Sequence, residues 1–182
     1  MKKTFDLLAA PTGMQPGGYV PKAYALRVLP FTQSATLEVQ HDAEGWHIRL
    51  TWSCPDPVRD LRGDTDRFVD AAALLAPTVA DAPWVTMGEP NKAVEAALWR
   101  AERDALLRIR AEGLGTVKRH APLDRWNVTA DWKDGQWSVV YDLPAWPALD
   151  EHGQLAFAIW RGAESDRGGL KSICPQWIPI TQ

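Results

Sequence analysis

Two short loops of this sequence each carry a side chain that can donate a lone pair to a metal. Residues 83–90 contain the thioether of Met87, and residues 166–172 contain the amine of Lys171. Glycine and proline in both loops keep the backbone out of regular hydrogen bonding. If the two side chains close on one haem iron from opposite sides, the iron keeps no open position. Such a haem passes electrons and does not act on a substrate.

The composition is that of an ordinary globular protein. The 182 residues are 46% hydrophobic and 24% charged, carry a net charge of −3, and suffice for one well-buried domain. No basic stripe of the kind that phosphate backbones require is present, so we expect no nucleic-acid partner. No apolar run approaches the roughly 20 residues that cross a bilayer, so we expect no membrane span.

The N-terminus is a poor signal peptide, because Asp6 interrupts a very short apolar stretch. Three locations stay open: the cytoplasm, the periplasm by co-export with a partner, or the periplasm after removal of a leader. We expect residues 1–21 to form an N-terminal arm that is ordered against a partner, and residues 22–182 to form the single domain.

Only two cysteines occur, Cys54 and Cys174. A Cys-x-x-Cys-His motif is absent, which excludes covalent attachment of a c-type haem, and two cysteines without nearby histidines make a poor zinc site. We expect two buried thiols, and a disulfide between them stays open.

Alternation of apolar and polar residues predicts an antiparallel β-sandwich. Residues 45–52, 126–132 and 137–143 each place their apolar side chains on one face, and Asp134-Gly135 between the last two runs predicts a tight hairpin. Further strands are predicted at residues 24–29, 36–40, 68–75, 155–160 and 172–180, the last broken by Pro175. Many short strands separated by turns are typical of a sandwich.

One stretch departs from the alternation of apolar and polar residues. In residues 96–112, apolar side chains recur at roughly helical spacing, Ala and Leu dominate, and Gly113 and Gly115 offer an end. The predicted fold class is therefore mainly β, an antiparallel β-sandwich with one inserted helix around residues 96–112.

Tryptophan is over-represented, with ten residues against four Phe and three Tyr. Indole rings give large flat apolar surfaces with one hydrogen-bond donor. Core packing, a pocket for a planar cofactor and a platform for stacking against sugars are the three explanations that stay open.

Several runs, in this order and spacing, resemble the haem b (gamma) subunit of type II dimethyl sulfoxide reductase family molybdoenzymes, the group that includes ethylbenzene, dimethyl sulfide, chlorate and selenate enzymes. The runs are residues 60–74, Met87-Gly88, residues 98–101, 112–116, 134–140, 156–162 and 166–169, and Lys171-Ser172. Any one of them is weakly specific, whereas the ordered set covers most of the chain.

The resemblance implies a β-sandwich that holds one non-covalent haem b between axial Met87 and Lys171. It also implies an electron-transfer subunit without catalytic residues, in a complex with an iron–sulfur beta subunit and a molybdopterin alpha subunit. An external carrier such as a c-type cytochrome would exchange electrons with the complex. An exposed apolar patch near one haem edge is expected to dock the iron–sulfur subunit.

Further haem contacts are expected from the runs that carry the resemblance. Arg62, Arg161 and Arg167 lie in or beside these runs and suit the haem propionates, because arginine pairs well with carboxylates. Trp99 is the expected aromatic contact. Only a neutral amine has a lone pair, so Lys171 must lose its proton to bind iron.

The main alternative is a carbohydrate-binding module, which would need tryptophan side chains on a solvent-facing platform. The four histidines, which lie in turn-like stretches or on the outer face of a strand, are poor candidates for axial ligands. Motifs of serine hydrolases, zinc proteases and P-loop enzymes are absent, so we expect no catalytic activity of the chain itself.

Overall fold

The computed structural model describes residues 1–11, 29–60 and 68–180, which form two antiparallel β-sheets packed face to face around a shared core. In chain order the strands are β1 (Lys2–Asp6), β2 (Leu8–Ala9), β3 (Ser34–Asp42), β4 (Gly45–Ser53), β5 (Ala71–Pro77), β6 (Val94–Arg100), β7 (Leu107–Ala111), β8 (Lys118–His120), β9 (Asn127–Lys133), β10 (Gln136–Leu143), β11 (Gln154–Trp160), β12 (Ser172–Ile173) and β13 (Ile178–Pro179). A short helix, α1 (Pro147–His152), precedes β11. The predicted mainly β, antiparallel sandwich is confirmed.

The two sheets differ in how they are buried. The first has the order β1-β3-β4-β10-β9, and the second has the order β2-β12-β11-β5-β6-β7-β8, with β13 also paired to β11. In β4 the alternate residues from Trp46 to Trp52 are buried, as a half-buried strand requires. In the second sheet β5 is buried on both faces. The outer face of β5, which points away from the first sheet, is therefore covered by another part of the protein.

Most strand predictions are confirmed. Strands occupy the predicted positions in β3, β4, β9, β10 and β11, and the chain after Lys171 is split into β12 and β13 around Pro175. The β9–β10 hairpin turns at Asp134 and Gly135, whose φ angles of 51° and 79° match the predicted tight turn. The strand predicted from residue 68 begins at Ala71, and residues 24–28 lie outside the described residues.

The helix predicted around residues 96–112 is wrong. The chain there forms β6 and β7, which pair antiparallel with Leu98 opposite Leu107. Ala97 and Trp99 face the core between the sheets while Ala96 and Leu98 face the opposite side. A strand that is apolar on both faces has no period of two, so its sequence cannot be told from a buried helix, and packing overrides the helix propensity of Ala and Leu.

The predicted N-terminal arm needs correction over its first part. β1 pairs with β3 at the edge of the first sheet, and β2 pairs with β12 at the edge of the second. Phe5 and Leu7 are buried in the core, which is why this segment is held within the sandwich. Residues 12–21 lie outside the described residues.

Both cysteines are free, buried thiols, as expected. The Cys54 thiol donates to the buried carboxylate of Asp70 at 3.4 Å, and burial raises its pKa to about 12. No helix within the described residues has the length and apolarity that crossing a membrane requires.

Candidate haem-binding site

The outer face of the second sheet forms a flat floor made largely of alanine. Strand register places Ala73 of β5 beside Ala158 of β11 on one side and Leu98 of β6 on the other. Ala71 and Ala96 lie on the same face, because side chains two residues apart in a strand point the same way. Small side chains in three adjacent strands leave room for a planar ligand to lie against the sheet.

A cavity of about 590 Å³ lies over this floor. Its volume falls within the range of about 300 to 1,000 Å³ that is common for small-molecule and cofactor sites. Three loops form the walls: residues 113–117 after β7, residues 166–171 before β12, and the loop that carries Met87. The cavity is therefore a slot between a flat apolar sheet and loops that carry functional groups.

Met87 reaches the cavity from a loop whose backbone conformation is unusual. Met87 has a φ of 57° and Gly88 a φ of 85°, both in the left-handed region. The Met87 N–H donates to the carbonyl of Trp84 at 3.1 Å, and the Gly88 N–H donates to the carbonyl of Pro83 at 2.8 Å. These bonds form a tight turn that projects the thioether into the cavity, where Met87 is half-buried.

Lys171 enters the cavity at the start of β12, directly after a tight turn. The Leu170 N–H donates to the carbonyl of Arg167 at 2.8 Å, and Gly168 in the turn has a φ of 53°. The carbonyl of Lys171 accepts from the Ala10 N–H at 3.0 Å. Strand pairing on one side and the turn on the other fix the lysine backbone, and its side chain is only 9% exposed.

The two predicted donors meet inside the cavity. Lys171 Nζ lies 3.6 Å from Met87 Sδ, although 84 residues separate them in the sequence. Burial lowers the pKa of the Lys171 amine from 10.5 to about 8. The ring of Trp160 lies 5.1 Å from the same Nζ and forms one wall of the cavity. An amine that loses its proton easily and a soft thioether are together a ligand pair for a metal.

The structure brings one of the three predicted arginines to the cavity. Arg167 lines it and stacks over the ring of Phe68 at 4.8 Å. Arg161 does not line the cavity: it is buried beyond the end of β11, where its N–H donates to the Asp166 carboxylate at 3.0 Å and so braces the Lys171 loop. Arg62 lies outside the described residues.

Sequence reasoning missed two other arginines, Arg100 and Arg119, which both line the cavity. Arg100 sits two residues beyond Leu98 on the same face of β6, so a strand prediction for this segment would have revealed it. Arg119 is exposed on β8, a three-residue strand that has no clear sequence signal.

Trp99, the predicted aromatic contact, does not line the cavity. It lies on the inner face of β6, where its ring is 4.9 Å from the ring of Trp137 and 6.2 Å from that of Trp52. Alternation along the strand forces this, because Leu98 and Arg100 on either side face the cavity. Trp160 is the tryptophan that lines it, and its indole N–H donates to the carbonyl of Gly168 at 3.0 Å.

Other metal-binding arrangements are not found in the described residues. No group of three or more His, Cys, Asp or Glu side chains comes together there. None of the four histidines lines the cavity. Met87 and Lys171 therefore remain the candidate donors within the described part of the chain.

The ten tryptophans do not form an exposed platform. All of them lie in the described residues, where six are buried and four are half-buried. Six indole N–H groups donate within the protein to backbone carbonyls or to the carboxylates of Asp70 and Asp150, from Trp46, Trp126, Trp132, Trp137, Trp160 and Trp177. Core packing accounts for most of the tryptophan content, and stacking against sugars loses its support.

Comparison with other proteins identifies relatives of the chain, although no family model matches it. It is 30% identical over 162 residues to dimethylsulfide dehydrogenase subunit gamma of Rhodovulum sulfidophilum, a match that covers 80% of this chain and 59% of the relative. It is 32% identical over 174 residues to a putative respiratory nitrate reductase heme subunit of Haloferax mediterranei, covering 87% and 61%. It is 32% identical over 141 residues to chlorate reductase subunit gamma of Ideonella dechloratans, covering 71% and 57%.

The relatives confirm the resemblance, seen in the sequence, to the gamma subunits of type II dimethyl sulfoxide reductase enzymes. The chain spans less than two thirds of the length of each of these relatives.

Proposed function

We propose that this chain is a non-catalytic electron-transfer subunit that binds one non-covalent haem b, with Met87 and Lys171 as axial ligands. The main support is the 3.6 Å approach of Lys171 Nζ to Met87 Sδ in the alanine-floored cavity. A bound haem would supply an iron that gains and loses one electron. The name of the Haloferax relative, a heme subunit, agrees with this cofactor.

The two donor side chains touch at 3.6 Å and would have to move apart to admit a metal between them. Methionine has three rotatable side-chain bonds and lysine a four-carbon stem, so both side chains can make this movement.

The protonation state of Lys171 also favours ligation. A lysine with a pKa of about 8 releases its proton at pH 7 at a cost of about 1.4 kcal/mol, whereas a solvated lysine with a pKa near 10.4 costs about 4.6 kcal/mol. Burial of Lys171 in the slot thus lowers the cost of preparing the ligand.

Three arginines support the proposal of a haem, whose acidic side chains need positive partners. Among the described residues, Arg100, Arg119 and Arg167 line the cavity, and Asp166 is the one acidic residue that does. Arginine forms paired, charge-assisted hydrogen bonds with carboxylates. We assign these three residues as candidate partners of the two propionates, in place of Arg161.

Two protein ligands leave the iron no position for a substrate, which is the reason to propose a relay. We infer that the chain exchanges electrons with an iron–sulfur beta subunit, and through it with a molybdopterin alpha subunit. On its other side it would serve an external carrier such as a c-type cytochrome. The relatives' names, which designate subunits of a dehydrogenase and of reductases, support partner subunits in general.

Absorption spectroscopy of the purified chain tests the haem assignment. Loading with haem should give a Soret band and sharp α and β bands on reduction, as expected for a six-coordinate haem. Met87→Ala and Lys171→Ala should each change the spin state or lose haem, whereas Lys133→Ala, at an exposed lysine of β9, should leave the spectrum unchanged. A chain that stays colourless after loading would refute the proposal, and unchanged spectra in both ligand variants would refute the ligand pair.

A further inference from the structure

The charge of the chain is unevenly distributed along its sequence. Residues 100–125 contain seven Lys and Arg against four Asp and Glu, a net charge of +3, whereas the whole chain carries −3. The remainder of the chain is therefore acidic. A basic region on an acidic protein indicates a surface that attracts negatively charged partners.

The uncompensated positive charge of this region lies on β8. Its five arginines before and after β8 each have a carboxylate within 4 Å: Arg100, Arg103, Arg108, Arg110 and Arg125. Lys118 and Arg119 have no such partner among the described residues, and both are exposed. With haem bound, Arg119 would pair with a propionate, and Lys118 would keep its free charge. We call Lys118, Arg119 and His120 the β8 edge.

The β8 edge is open to a partner on its free side. β8 is the last strand of the second sheet, and among the described strands it pairs only with β7. All three of its residues are exposed. Positive side chains on an outer strand discourage pairing with another sheet, yet they remain available to an acidic surface.

The β8 edge also borders the cavity. Val117 and Arg119 line it, two residues apart on the same side of the chain. Val117 is 44% exposed, and it is the one residue among the described exposed large hydrophobics that lines the cavity. The described cavity rim therefore carries both an exposed apolar side chain and positive charge, and the apolar docking patch expected from the sequence stays a prediction.

We propose that the β8 edge is the docking surface for an electron-transfer protein with an acidic surface. This rests on the proposed haem function, because docking here would bring a partner to the haem cavity. The complementary charges would guide the encounter and set its orientation. A membrane or a nucleic acid is a poorer fit, because three residues on one short strand make a compact patch rather than an extended basic stripe.

Binding to an acidic [2Fe–2S] ferredoxin, used as the probe protein, tests this surface. Binding should be measurable by calorimetry at an ionic strength of about 0.01 M, where the Debye length is about 30 Å. The affinity should fall at an ionic strength of about 0.15 M, where the Debye length is about 8 Å. Lys118→Glu should weaken binding about fivefold at the lower salt, which is the upper range for one exposed charge pair. Lys118 does not line the cavity, so the haem spectrum of this variant should be unchanged.

Lys133→Glu is the matched control, because Lys133 is an exposed lysine on the other sheet and outside the cavity lining. An equal loss of affinity in both variants, or no binding of the probe, would overturn the β8 edge as the docking surface. If the chain self-associates and Lys118→Glu abolishes this self-association, the β8 edge binds a second copy of the chain. That result would also overturn the proposal. The binding measurements need no haem, so failure of the proposed haem site would be seen separately in the absorption spectrum.

Discussion

The carbonyl oxygen of Met87 accepts a hydrogen bond from the N–H of Gly113 at 3.0 Å, which ties the methionine loop to the turn after β7. Thr86 Oγ1 adds a bond to the carbonyl of Gly88 at 2.9 Å. Met87 itself adopts a backbone conformation that non-glycine residues rarely take, and such strain is held only where surrounding contacts demand it. The position of the thioether is thus set by the loop backbone, and the first prediction concerns that backbone.

Gly88→Ala should unfold the methionine loop. A Cβ at this position would lie 2.6 Å from the carbonyl oxygen of Lys92 and 2.9 Å from that of Ala111. Together with the left-handed conformation, this clash should cost about 2 to 4 kcal/mol in the free energy of unfolding, measured by urea denaturation. Gly168→Ala is the control, because its Cβ would meet nothing within 4 Å and should cost only about 1 kcal/mol. Equal losses in the two variants would contradict the role of the clash.

Haem affinity should depend on pH through Lys171. The pKa of its amine is about 8 in the absence of a metal, so a ligand that takes only the neutral amine must displace a proton at lower pH. Affinity should fall about tenfold for each pH unit below about 8 and level off above it. Titration with ferric haem between about pH 6 and pH 9 measures this slope. Lys171→Met offers a thioether in place of the amine, so its haem affinity should no longer depend on pH in this range. The same pH dependence in that variant would exclude Lys171 as the group that titrates.

Ala73→Leu should block the slot while leaving the sandwich folded. Ala73 lies in the middle of the floor, in register with Ala158 and Leu98 on the adjacent strands. A leucine would project into the space above the sheet, and overpacking of about 1 to 3 kcal/mol predicts a loss of haem affinity of about tenfold or more. Ala130→Leu, at an exposed alanine of β9, is the control and should bind haem normally. Normal binding by Ala73→Leu would place the ligand elsewhere.

Asp70→Ala should strongly destabilise the protein. The carboxylate of Asp70 is fully buried and accepts hydrogen bonds from the Val58 N–H at 2.9 Å, the Trp137 indole at 2.9 Å and the Gly162 N–H at 2.7 Å. Removing it leaves these donors unsatisfied, which should cost about 3 to 5 kcal/mol in the free energy of unfolding. Asp131→Ala, at an exposed residue of β9, should change stability by less than about 0.5 kcal/mol. A small loss at Asp70 would mean that water replaces the carboxylate.

The positions of β4, β9 and β10 in the first sheet could be predicted because each places its apolar side chains on one face. Alternation in β4 and β10 and the Asp134-Gly135 turn are local signals, and the structure confirms both. The same reasoning failed for β6, which is buried on both faces and leaves no alternation to read, and β7 was predicted as helix with it although Leu107–Ala111 do alternate. The loops that wall the cavity cover this outer face, so the apolar face that forms the site removed the alternation from β6.

The sequence by itself determined the two donor loops, the sandwich and the family resemblance that names Met87 and Lys171, since turn residues and alternation act over a few neighbouring positions. Only the tertiary structure decided that the two donors lie 3.6 Å apart, that Arg100 and Arg119 border the same cavity, and that Trp99 faces away from it. Those relationships depend on the register between strands far apart in the chain. Shifting a strand by one residue moves every side chain to the opposite face, and no local signal in a doubly buried strand fixes that choice.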